Sequence, residues 1–101
     1  MTIEEALARL ASAGIDLLPL AGLETHFAFH RGGFVALVER TAGGFGSIGS
    51  TGLLTDHGFA ALVWRPSGPA FVAKGFEKPA SKDEVARLRS FSDALADALL
   101  H

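Results

Sequence analysis

Hydrophobic residues recur along this chain at two different periods, and the change of period divides it into three. Near the N-terminus Ile3, Ala6, Leu7 and Leu10 share one stripe of a helix, while Glu4, Glu5 and Arg9 lie off it. Gly14 supplies a stop, so the spacing predicts a helix over Ile3 to Ala13. At the other end Val85, Leu88, Phe91 or Ser92, Leu95 and Leu99 repeat at the same spacing from about Lys82 to Leu100. Lys82, Asp83, Arg87, Arg89, Asp93 and Asp97 occupy the other sides of that longer helix. Thr2 with Glu5, and Ser81 with Glu84, have the spacing of a capping box. In that motif a hydroxyl accepts from a free backbone N–H while the carboxylate three residues on reaches back.

Between the helices the period shortens and the residues become Phe, Val, Gly and short apolar runs. Glu24–Arg31 and Phe34–Arg40 flank Gly32-Gly33, which suits a tight hairpin turn. A two-residue turn sets His30 against Val35, Ala28 against Leu37 and His26 against Glu39. Phe27, Phe29, Ala36 and Val38 then share the core face. Residues 43–52 hold five glycines and read as a loop or a bulged strand, followed by a short strand at Leu53–Thr55 and a turn at Asp56-His57-Gly58. Phe59–Arg65 and Ala70–Glu77 form a second hairpin; with Ser67-Gly68 as its turn, Trp64 opposes Phe71 and Leu62 opposes Ala73. Ile15–Leu23, interrupted by Pro19 and Gly22, reads as a packed connection with a short extended piece. The whole chain, residues 1–101, is expected to be one α+β domain: an N-terminal helix, an antiparallel β-meander of four to five strands, and a long C-terminal amphipathic helix packed on one sheet face.

The strands are apolar on both sides. Phe34-Val35-Ala36-Leu37-Val38 and Phe59-Ala60-Ala61-Leu62-Val63-Trp64 do not alternate as strands of a half-solvated sheet should. Two helices of about three and five turns cover one face of such a sheet, not two. Burial is worth roughly 25 cal/mol per Å² of apolar surface, so an uncovered second face drives association. A homodimer through an apolar sheet face is the simplest cover, because closed two-fold dimers dominate homo-oligomers. The competing arrangement wraps the first helix and the Ile15–Leu23 connection over that face within one monomer. With 49 % hydrophobic residues and eight Phe in 101 residues, the chain has apolar side chains to spare.

Charge and cysteine content remove several function classes. The net charge is −2 and the basic residues are scattered, so no nucleic-acid partner is expected. With no cysteine there is neither a disulfide framework nor thiol chemistry. No apolar run approaches the roughly 18–20 residues that span a bilayer, and the N-terminal Glu4 and Glu5 do not resemble a signal peptide, so a cytoplasmic protein without membrane contact is expected.

The candidate chemistry is sparse. Gly44-Phe45-Gly46-Ser47-Ile48-Gly49 has the G-x-G-x-x-G spacing of dinucleotide sites, but lacks a strand immediately before it and a helix after it. A weaker use is an anion-binding nest of backbone N–H groups at Gly46, Ser47, Gly49, Ser50 and Thr51, with His57 nearby. His26 and His30 stand i, i+4, a chelating spacing on a helix but about 13 Å apart on a strand, so no metal is expected. His26 with Glu39 is a cross-strand pair able to serve as acid and base, or simply a surface ion pair. Ser47 or Ser50 with His57 and Asp56 has triad residue types without a nucleophile elbow. The aromatics, Trp64 included, are expected in the core, where they could also line a small apolar pocket.

Two functions follow as expectations: a non-enzymatic homodimeric interaction module that can also take a protein partner, without cofactor or catalytic residues, or a small-ligand or anion-binding protein or weak enzyme, with its site at the Gly-rich segment 43–52 near Asp56 and His57.

Overall fold

In the computed structural model, which describes residues 3–19 and 24–100, one antiparallel sheet lies between two helices in sequence. The order is α1 (Ile3–Ser12), β1 (Asp16–Leu18), β2 (His26–Arg31), β3 (Phe34–Thr41), β4 (Gly44–Thr55), β5 (Gly58–Arg65), β6 (Gly68–Ala73), β7 (Phe76–Pro79) and α2 (Lys82–Leu100). The strands form a simple meander in which each pairs with its neighbours in sequence. Short turns enforce this, since an antiparallel pair closed by two residues leaves no length for a crossover.

Among the described residues there are seven strands rather than four to five. β1 forms within the apolar connection and pairs Asp16, Leu17 and Leu18 with His30, Phe29 and Ala28. The stretch expected as one strand from Ala70 to Glu77 is two, because the chain reverses at Lys74-Gly75 with Gly75 at φ +76°. Of residues 43–52, Gly43 falls in the turn and 44–52 are a bulged strand, continuous with Leu53–Thr55 as the twelve-residue β4. Thr2 and the Leu20–Leu23 end of the connection lie outside the described residues, so the first capping box does too.

The first hairpin has the expected register: His30, Ala28 and His26 oppose Val35, Leu37 and Glu39. Gly32 and Gly33, at φ +59° and +87°, take the left-handed turn that the strand twist favours. The β5–β6 hairpin differs from expectation. It turns on Pro66-Ser67, so Leu62 opposes Phe71 and Trp64 opposes Pro69. Proline's fixed φ suits the first turn position, which pulls the turn one residue earlier. Because each partner moves by two positions, every side chain keeps its face.

The core lies between the sheet and both helices. Phe29, Ala36, Val38, Ala60 and Phe71 from the sheet meet Leu10 of α1 and Leu88, Phe91, Leu95 and Ala98 of α2. Phe91, not Ser92, fills the ambiguous helix position and is fully buried. Ala6 and Leu10 are buried on α1, whereas Ile3 and Leu7 of the same stripe stay exposed. Arg31 fastens this layer: its Nη1 donates to the Ala13 carbonyl at 3.2 Å and its guanidinium lies 5.6 Å from the Phe91 ring centre. The second capping box closes as its spacing predicts. Glu84 N donates to Ser81 Oγ at 3.1 Å, and Ser81 N donates to Glu84 Oε1 at 3.0 Å.

Candidate functional site

Both helices pack against the same side of the sheet. α1 and α2 contribute to one core, and Arg9 Nη2 donates to the Asp97 carbonyl at 3.5 Å across them. On the opposite side the strands present Leu37 of β3, Leu54 of β4, Phe59, Ala61 and Val63 of β5, and Val72 of β6. Among the described residues no helix covers that side, and none of these six joins the helix-backed core. Five are only half-buried and Leu54 is 42 % exposed. Ala28, Val35 and Ala70 on this side are buried. Polar groups stand toward the margins. Asp16 opposes His30 and His26 opposes Glu39 at one end. At the other end Arg65 Nη2 lies 3.0 Å from Glu77 Oε1.

The residues singled out for chemistry do not converge. Gly46, Ser47, Gly49, Ser50 and Thr51 are strung along β4, with His57 in the turn beyond its far end. β4 pairs with β3 through this stretch, with Phe45, Ile48 and Thr51 opposing Arg40, Val38 and Ala36. Gly46 packs where a Cβ would come within 3.0 Å of Glu39 Oε1 and closer still to Thr41. An open groove of about 430 Å³ beside Gly46 and Ser47 is walled by Phe45, Ile48 and Leu99, an apolar lining. His57 stacks at 5.3 Å on Phe76, and its backbone N–H donates to Thr55 Oγ1 at 3.1 Å. Thr55 Oγ1 in turn donates to the Gly58 carbonyl at 2.9 Å. The threonine before the turn therefore holds it. That role is legible as a hydroxyl turn signal, although Asp56 is the more conspicuous residue.

His26 and Glu39 are opposed in register but make no ion pair. His26 Nδ1 instead lies 2.8 Å from Thr25 Oγ1. Among the described residues no polar or charged side chain is buried, and no three His, Asp or Glu residues gather into a set that could hold a metal ion. No described helix is long and apolar enough to cross a membrane. Glu84 is held below its ordinary carboxyl range, chiefly by the Lys78 ammonium 2.5 Å away and by the Ser81 N–H.

Sequence reasoning missed Trp64. Instead of entering the core, it is 65 % exposed on the helix side of β5. It stands between two open grooves. One, of about 220 Å³, runs between Thr51, Leu62, Leu88 and Ser92; the other, of about 400 Å³, runs over Pro69, Ala80 and Val85 with Lys82 at its rim. Arg89 borders both. A signal was present in the sequence: Trp64 adjoins Arg65-Pro66, at the end of its strand.

No protein-family model, curated protein or solved structure matches this chain, so its functional reading rests on its own geometry.

Proposed function

We propose that this chain is a non-enzymatic interaction module of the cytoplasm that forms a homodimer through the open face of its sheet. The observation that carries this reading is the one-sided placement of α1 and α2 against strands that are apolar on both sides. An apolar centre at Leu37, Ala61, Val63 and Val72, bordered by His26, Glu39, Arg65 and Glu77, has the composition of a protein interface, greasy inside and polar at its rim. A self-complementary patch of this kind is satisfied by a second copy related by a two-fold axis.

Sedimentation velocity over micromolar to millimolar protein tests the reading. A concentration-dependent dimer is expected, and a clean monomer throughout would sink it.

The apolar groove beside Gly46 and Ser47 favours a second reading, a small-ligand site at the Gly-rich strand. Its lining of Phe45, Ile48 and Leu99 suits an acyl or aromatic ligand better than an anion. Thermal-shift screening with fatty acids against phosphates and nucleotides separates the two ligand classes. A ligand at a hundredfold its Kd should stabilise the fold by roughly 2.7 kcal/mol.

A further inference from the structure

The sheet is split. The β4–β5 ladder runs from Thr55↔Gly58 only as far as Gly52↔Ala61. Beyond that point β4 continues back to Gly44 with β3 alone beside it, and β5 continues to Arg65 with β6 alone beside it. The cause lies in β4. From Thr51 to Ile48 and from Ile48 to Phe45 it uses three residues where β3 uses two, which makes two successive bulges. Bulges bend and over-twist a strand. Here they carry the first half of β4 out of the register that would pair it with β5. The result is a wedge with its apex at Gly52, backed by Leu88 and Ser92 of α2.

The two walls of the wedge differ. β4 presents an irregular edge, whereas Leu62–Arg65 is regular and unbulged, with its outer row of backbone groups outside any ladder. The sheet's terminal edges are guarded in familiar ways. β1 has three residues and ends against Pro19; β7 has four and carries Glu77, Lys78 and Pro79. Along Leu62-Val63-Trp64-Arg65 the only charge is Arg65, already engaged by Glu77. Beside this unguarded edge stands the most exposed large apolar side chain among the described residues, Trp64. Arg89 and, one helical turn on, Asp93 lie against the same groove, and among the described residues the Arg89 guanidinium makes no ion pair.

We propose that the wedge accepts an extended segment of a partner protein as an added strand on β5. Its apolar residues, at alternate positions, would rest on Leu62, Trp64 and Leu88, with a carboxylate meeting Arg89. Main-chain hydrogen bonds supply the affinity in this mode, and alternate side-chain pockets the selectivity. The apolar backing sets the alternation, and the unpaired guanidinium beside the indole sets the acid. This inference names the partner class within the interaction-module reading and rests on that reading, but not on the homodimer, which uses the other side of the sheet.

The full chain is titrated with the capped heptapeptide Asp-Thr-Val-Thr-Val-Thr-Asp, which presents valines and acids on one face in either strand direction. Trp64 is the chain's single tryptophan, so its emission reports on this groove. A saturable blue shift is expected. N-methylation of every second amide should abolish binding in one phase and spare it in the other, because only one set of amides faces β5. Arg89→Gln should weaken the peptide about tenfold and leave its Asn-ended counterpart unchanged, as loss of one charge-assisted contact requires. The proposal is overturned by the absence of a saturable shift, by equal tolerance of both N-methyl phases, or by a shift that grows with protein concentration alone, which would assign the wedge to a second copy. A monomer that still binds the peptide would refute the homodimer and leave the strand slot standing.

Discussion

Gly52 lies so close to Ala60 on the neighbouring strand that a Cβ on it would fall 1.9 Å from the Ala60 carbonyl oxygen. The next nearest atoms are also backbone, the Ala60 carbonyl carbon and the Ala61 Cα. No rotamer change can relieve such an overlap. The glycine permits the close approach at which the two halves of the sheet join before β4 and β5 part. Gly52→Ala should therefore destabilise the protein by about 3 kcal/mol, the upper range for overpacking. For a domain of this size that is roughly 12–24 °C in Tm, readable by calorimetry. A loss below about 0.5 kcal/mol would mean that the sheet can open at Gly52 without cost.

The Ser81–Glu84 box gives a stability that depends on pH. Glu84 is held below its ordinary carboxyl value of 4.5, first by Lys78 and next by the Ser81 N–H. Its contribution is full above that unfolded value and is lost as the pH falls through the lower folded value. Denaturant unfolding of the wild type against Glu84→Gln, from neutral pH down to strongly acidic pH, should show the two proteins converging at the acid end. Ser81→Ala should cost about 1 kcal/mol at neutral pH, as expected for loss of an N-cap.

Val63 opposes Ala70 on the open face of the sheet and is half-buried. Val63→Glu would set an unpaired carboxylate in the middle of the proposed dimer interface. The dimer dissociation constant should rise at least tenfold, about 1.4 kcal/mol, by sedimentation equilibrium. Circular dichroism should report an unchanged fold, and Val63→Thr gives the same test with a residue that favours strands.

Two aromatic residues should respond in opposite ways. Phe91 is fully buried between α2 and the sheet, so Phe91→Ala should cost about 3–5 kcal/mol. Trp64 is mostly exposed, and Trp64→Ala should change stability by no more than about 0.5 kcal/mol, despite removing the larger side chain. Urea midpoints of the two variants, at equal slope, make the comparison.

Much of the fold was legible because its signals are local. The capping box of α2, the helical spacing of Leu88, Leu95 and Leu99, and the Gly32-Gly33 turn act within a few residues. Such signals also placed His26 opposite Glu39. The second hairpin was harder. Pro66 and Gly68 both favour a turn, and only the pairing of Leu62 with Phe71 selects Pro66-Ser67. The candidate sites were less legible still. The glycines of β4 carry the pattern of a phosphate loop, yet they serve as the close approaches and bulges of a strand. His26 opposes Glu39, but its ring bonds Thr25.

By itself the sequence determined the α+β class, the helix at each end, and a set of strands apolar on both sides, because periodicity and turn chemistry are properties of neighbouring residues. Only the tertiary structure decided that α1 joins α2 on one side, that the sheet runs to seven strands, and that it parts beyond Gly52 to leave Trp64 in the open. Those outcomes depend on how bulges accumulate twist across strands distant in sequence, and on which face two separate helices share. No local spacing records either.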